Sequence, residues 1–197
     1  MVQSSELHPA FQEKEYLFRR KFFKIFGGAF HVYDKQGNLQ FYSEQKAFKL
    51  KEDVRIYSDE EQSQELLIIT TPQILDVGAT YYVTDGVTGE EVGGLRRKAI
   101  QSMFRDQWAF LDTEENETGR LIESSLISAL LSRAIKLIPQ SYRIELPDER
   151  QIAIIKQHFN PFILKYSLTI TAADPPIDPR LLIASGVLLA AIEGRQQ

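Results

Sequence analysis

The sequence predicts a mainly β protein of the α+β type. It is a closed antiparallel β-barrel around a central hydrophobic C-terminal helix, with one amphipathic helix at about residues 124–138. Three observations predict it. Short apolar alternations bounded by turn residues recur through the chain, which is the period of strands with one buried face. A stripe of helical period interrupts them once. An uncharged apolar run, LLIASGVLLAAI from Leu181 to Ile192, follows the last alternation. A helix that is apolar on every face must be surrounded by protein, and a sheet closed around it has no exposed edges.

The strands come first in the chain. An aromatic residue, an apolar residue and an Asp occupy alternate positions three times: Phe30, Val32 and Asp34; Tyr81, Val83 and Asp85; Trp108, Phe110 and Asp112. Residues two apart in a strand share a face, so each triplet gives two core side chains and then an Asp able to close a turn. A glycine (Gly37, Gly89, Gly119) and a second apolar segment follow each triplet, as in a returning hairpin. Val54 and Ile56, Leu66 to Ile69, Tyr142 and Ile144, and Ile152 to Ile155 add strands around the polar SDEEQSQE and LPDER loops, and Phe162 to Ile170 is the last.

The stripe in SSLISALLSRAIKLIPQ places Leu126, Ile127, Leu130, Leu131, Ala134, Ile135 and Ile138 at three- and four-residue spacing. Ser124 is its expected cap and Pro139 its stop. The closing run is too short to cross a membrane: at about 1.5 Å per residue it spans about 18 Å, against roughly 30 Å of hydrocarbon. Its ends read as those of a buried helix, with Asp178 as N-cap, Pro179 at the first helical position and Gly194 after the last apolar turn. Ser185 and Gly186 in its middle allow close approach to its backbone.

With 197 residues, 43% of them hydrophobic, the chain supports one domain, expected over 16–197 behind a polar extension at 1–15. A formal charge of -4 argues against a nucleic-acid coat. The absence of cysteine excludes disulfides, thiolate metal sites and cysteine nucleophiles. The opening MVQSSELHPAFQEKEY lacks the basic and apolar regions of a secretory signal, so a cytoplasmic location, peripheral at a membrane surface, is expected.

Several segments carry a family pattern. RRKFFKIFGGAFHVYDKQGNLQFYSEQKAFKL joins a basic-aromatic strand, a Gly-Gly pair, a VYD turn and a closing K-x-F-x-L. It resembles the LURP-one-related family, a branch of the tubby-like and phospholipid scramblase-like superfamily. YYVTDGVTGEEVG and DPRLLIASGVLLAAIE resemble that family's recurrent hairpin and closing helix. The resemblance runs from about Tyr16 to Glu193. It implies a tubby-like barrel of about a dozen antiparallel strands around the terminal helix. Tubby-like relatives bind phosphoinositides, and scramblase-like relatives are associated with lipid movement and calcium. The chain lacks the cysteine-rich segment and proline-rich arm that scramblases carry. The implied role is a non-enzymatic module that binds a membrane surface, an anionic phospholipid headgroup or a protein partner. A regulatory interaction protein without lipid affinity and a scramblase-type transporter are the alternatives.

With the interior filled by the helix, sites are expected on the outer wall or at the barrel ends. Arg19, Arg20, Lys21 and Lys24 form one basic segment; Arg96, Arg97 and Lys98 form a second, which could join the first in space. Alternation divides the first between two faces, so part of it reads as snorkelling residues beside a core strand and part as headgroup contacts. The loop DTEENETGRLIE offers a candidate calcium set, Asp112, Glu114, Asn116 and Glu123, at first, third, fifth and twelfth positions. The glycine required at the sixth position is Glu117, and the same residues also read as a hairpin turn. His8, His31 and His158 lack metal-ligand spacing, and His31 reads as an ordinary outward strand residue. No nucleophile elbow, P-loop or dinucleotide motif is present, and no cofactor or enzymatic activity is expected. A cluster of Asp85, Glu90 and Glu91 with a histidine could form only through the fold.

Overall fold

The computed structural model describes residues 7–23, 27–45, 53–72, 78–98, 107–124, 139–158, 160 and 163–193. Among these, twelve strands and one α-helix form. They are β1 (Glu15–Phe23), β2 (Gly27–Tyr33), β3 (Leu39–Gln45), β4 (Val54–Tyr57), β5 (Glu65–Thr70), β6 (Thr80–Asp85), β7 (Glu91–Lys98), β8 (Gln107–Leu111), β9 (Glu117–Glu123), β10 (Ser141–Glu145), β11 (Gln151–His158), β12 (Ile163–Ile170) and α1 (Pro179–Glu193). Each strand pairs antiparallel with its sequence neighbours, and β1 pairs with β12 to close the barrel. The expected helix at about 124–138 lies outside the described residues, apart from Ser124. The Ser124 N–H donates to the Ser141 carbonyl at 2.7 Å and so joins the end of β9 to the start of β10.

The hairpin turns share one construction. In the turns after β2, β8 and β6, Asp34, Asp112 and Asp85 accept backbone N–H bonds from the residues that follow them. Asp59 does the same after β4, with the Ser63 N–H at 2.9 Å. Gly37 (φ 89°), Gln62 (φ 59°), Gly89 (φ 74°), Glu115 (φ 63°) and Glu149 (φ 65°) take the left-handed position that returns each chain. The glycine expected for the third turn, Gly119, is instead a β9 residue. A Cβ there would stand 2.6 Å from Ile177 Cδ1, so this glycine admits the segment leading into α1. Glu115 takes the turn position in its place. A left-handed non-glycine residue costs roughly 1–2 kcal/mol, and bonds from Tyr82 Oη at 2.9 Å and Arg96 Nη2 at 2.6 Å offset this.

The strands' inward positions carry Tyr16, Phe18, Phe30, Phe41, Phe110, Tyr142 and Tyr166, all fully buried. They enclose α1, whose residues from Leu181 to Ala191 are buried on every side. The helix packs against β1 and β12 on one side and β6 and β7 on the other. Gly186 faces the Phe18 ring so closely that a Cβ would lie 2.5 Å from its Cζ. Ser185 satisfies its hydroxyl by donating to the Leu182 carbonyl at 2.7 Å. No helix of the described residues is long and apolar enough to cross a membrane.

Two expectations need correction. Ala10 and Phe11, placed by the sequence reading in a polar extension, are buried in the core, and the Tyr16 hydroxyl donates to the Ala10 carbonyl at 2.9 Å. His31 faces away from the interior, as its alternation with Phe30 and Val32 requires, yet it is only 7% exposed. The Tyr33 and Tyr42 rings and Glu60, at 2.7 Å from Nε2, cover it.

A charge inside α1 tests the arrangement. Leu188→Asp buries an unpaired carboxylate at a cost of several kcal/mol, against a total stability of about 5–15 kcal/mol. Circular dichroism should show an unfolded or molten chain; a soluble, cooperatively folding variant would mean that α1 is not the core.

Candidate functional site

The outer wall of β2, β1, β12 and β11 carries a row of directly opposed basic side chains. Arg19 on β1 stands opposite His31 on β2 and Lys165 on β12, and Lys165 stands opposite His158 on β11. Their inward neighbours Phe18, Leu164 and Tyr166 are buried, as is Ile155 on the opposite face of β11 from His158, so alternation turns this row outward. Opposed residues have Cβ atoms about 4.5–5.5 Å apart, and like charges at that separation destabilise a sheet. Lys156 lies one row further along β11, opposite Ser167. Among the described residues, no carboxylate pairs with Arg19, Lys156 or Lys165; Glu60 relieves only the His31 end. The Arg19 guanidinium lies 5.6 Å from the Tyr33 ring centroid, and His158 Nε2 lies 2.9 Å from Ser167 Oγ.

The other basic residues named from sequence separate. Arg20 points into the barrel, 8% exposed, where Nη1 donates to the Ala190 and Ala191 carbonyls at 3.1 and 3.2 Å. It neutralises the carbonyl-rich end of α1, which carries partial negative charge. Arg97 lies beside the buried Trp108 indole, 5.9 Å from the ring centroid. Arg96 and Lys98 are neutralised by Glu115 and Glu117, at 2.6 and 2.8 Å. Glu117 also pairs with Arg120. Lys21 is a β1 residue opposite Ala29 and Ile163, and Lys24 lies outside the described residues. β1 and β7 are six strands apart in either direction around the barrel, so the two basic segments form no common outer patch.

The calcium set does not assemble. Asp112 spends its carboxylate on the N–H groups of Glu114 and Asn116, at 2.9 and 2.8 Å, and these bonds hold its pKa below the ordinary value. Asn116 Nδ2 donates to Asp112 at 3.1 Å, so the amide nitrogen rather than its oxygen faces that carboxylate. Glu123 ends β9, about 20 Å of strand beyond the loop at about 3.3 Å per residue. Among the described residues, no three acidic or imidazole groups are placed to hold a metal.

Arg180, which no local pattern of the sequence singles out, holds the start of α1 at one end of the barrel. Asp178 caps α1 by accepting the Arg180 N–H at 2.8 Å, and also binds that residue's guanidinium at 2.7 and 3.0 Å. Arg180 Nη1 reaches the β6 end, 2.8 Å from Asp85, and lies 3.7 Å from Glu90. Burial opposes ionisation of Asp85, but the Thr88 and Val87 N–H groups and Arg180 outweigh it and lower its pKa. This network forms one wall of a cleft of about 540 Å³ that also takes in His8. Asp85, Glu90 and His8 line the same cleft but are not clustered, and Glu91 is not among its lining residues.

Two substitutions separate inward from outward arginines. Arg20→Met should cost about 2–3 kcal/mol, because two helix-end carbonyls lose a charged donor. Arg96→Gln should cost less than about 1 kcal/mol, as exposed pairs do; equal losses in urea denaturation would refute the inward placement. Asp85→Asn should cost about 3 kcal/mol at neutral pH, because it strips a carboxylate from the mostly buried Arg180. The stability from Asp85 is fully present above its unfolded pKa and is lost as pH falls through its lowered folded pKa. The deficit of the variant should therefore shrink in acid, below the ordinary carboxylate range, as measured by thermal unfolding against pH.

Comparison with known proteins agrees with the architecture. A protein from Arabidopsis thaliana solved by X-ray crystallography superposes with a TM-score of 0.51 over 94% of this chain and 94% of that one, at 15% identity. At that identity the likeness concerns the fold. No curated protein gives a significant match. The LURP-one-related family model matches residues 14–190, from the residue before β1 into the last turn of α1, and the chain belongs to the LURP-one-related family.

Proposed function

We propose that this chain is a non-enzymatic binding module whose outer wall, at β2, β1, β12 and β11, docks onto anionic phospholipid headgroups at a cytoplasmic membrane surface. The observation that carries the reading is the opposition of Arg19, Lys165 and His158 on adjacent strands with no carboxylate beside Arg19 or Lys165 among the described residues. The opposed Arg19 and Lys165 are a standing electrostatic cost in the unbound protein, and an anion across them removes that cost. Half-buried Leu17, Tyr33, Ile154 and Ile163 share this wall and supply apolar surface beside the charges, as interfacial contact with lipid requires. The second basic segment takes no part, since Arg96 and Lys98 are already neutralised.

Co-sedimentation of the detergent-free protein with neutral and anionic liposomes, at low and high salt, tests the proposal. Binding should require anionic lipid and fall at high salt. Each basic residue near an anionic surface contributes about 1 kcal/mol, so the double change Arg19→Glu and Lys165→Glu should weaken binding by at least about 30-fold. Arg96→Gln should leave it unchanged. Unaltered binding by the double variant would overturn the assignment of this wall. No binding to any liposome would favour a regulatory protein-protein role, and calcium-dependent lipid flipping would favour a transporter.

A further inference from the structure

The outer row ends on β11 in a side chain whose charge follows pH. His158 is exposed and stands directly opposite Lys165, and Lys156 precedes it by two residues on the same outward face. Its Nε2 lies 2.9 Å from Ser167 Oγ. A hydroxyl donates to a neutral imidazole nitrogen and accepts from a protonated one, so this contact serves both charge states. On the β10 side the facing residues are Ser141, opposite Lys156, and Gln140, whose carbonyl accepts the Gln157 N–H at 2.8 Å; neither is charged. Arg143 and Glu145 lie further along β10 and pair with each other at 2.7 Å. Among the described residues no carboxylate is paired with His158.

The other two histidines are placed differently. His31 is covered by Tyr33 and Tyr42, and its Nε2 is engaged by Glu60 at 2.7 Å, so a proton gained there meets that carboxylate rather than a ligand. His8 lies in the cleft at the start of α1. Imidazole is the side chain that ordinarily changes charge between about pH 5 and 8. A proton on His158 extends the positive row of Arg19 and Lys165 to a third adjacent strand. An anion across the row stabilises that charge, and by reciprocity a surface that prefers the protonated form takes up a proton as it binds.

We propose that His158 couples the docking of this wall on anionic lipid to proton uptake, so that mild acidification strengthens attachment. The coupling rests on the outer-wall reading above, to which it adds regulation by pH.

The test is co-sedimentation of the full-length protein with phosphatidylcholine vesicles, with and without phosphatidylglycerol, whose phosphodiester stays ionised throughout, at about pH 5.5 and about pH 8 and constant salt. Binding to the anionic vesicles should be roughly fivefold tighter in acid, the effect of one further basic charge at an anionic surface. His158→Gln, which keeps a partner for Ser167, should lose this response. His158→Arg, with its charge fixed, should lose it too, and should bind roughly fivefold tighter than the wild type at the higher pH. His8→Asn, which keeps an acceptor for the Ala10 N–H, should retain the full response. A full pH response in His158→Gln or His158→Arg would overturn the proposal. Salt-sensitive anionic binding of the wild type that is equal at both pH values would overturn the coupling and leave the outer-wall reading standing. No binding at either pH would overturn both.

Discussion

The filling of the barrel by α1 is the constraint on which the rest of the structure depends. A helix apolar on every face has no stable position in water, and neither has the apolar inner face of this twelve-stranded sheet until something apolar fills it. Each solves the problem of the other. Bulky aromatic side chains from the strands and small residues of the helix meet at the same radius, as where the Phe18 ring lies over Gly186. Such contacts are close-packed, so the centre of the molecule is fully committed to holding it together.

The two helix ends then dictate where polar chemistry enters the core. Both termini of a helix carry unsatisfied backbone groups, and here both lie within a protein wall. At the N-terminus Asp178 serves the backbone, and Arg180 ties that cap to Asp85 in the β6–β7 turn. At the C-terminus Arg20 reaches in from β1 to the last carbonyls. These side chains fasten a sequence-distant helix to the sheet that surrounds it, and they leave a recess at the end where the turns gather. Basic charge not spent on pairing with a described carboxylate remains on the outer wall, at Arg19 and Lys165.

Much of the fold was legible because its signals are local. The aromatic, apolar, Asp triplets became strands ending in Asp-held turns, since a two-residue period and a short carboxylate act within a few residues of themselves. The assignment of a turn to Gly119 failed for a related reason: a glycine marks either a left-handed turn or a close approach, and its neighbours in sequence do not say which. Glu115 fills the turn only because Tyr82 and Arg96, from other strands, stand beside it. His31 was placed on the correct face, but its cover comes from Tyr42 and Glu60 and was invisible to alternation.

The candidate site was far less legible. Arg19, Arg20 and Lys21 are consecutive, yet alternation sends Arg19 to the outer wall and Arg20 to the helix end, and Lys165, 146 positions after Arg19, becomes its neighbour. The sequence by itself determined the strand alternation, the capped apolar helix and the barrel that must enclose it, because periodicity and burial are properties of short segments. Only the tertiary structure decided which charges face each other, since closing β1 against β12 and seating α1 between opposite walls bring together residues that the chain keeps far apart.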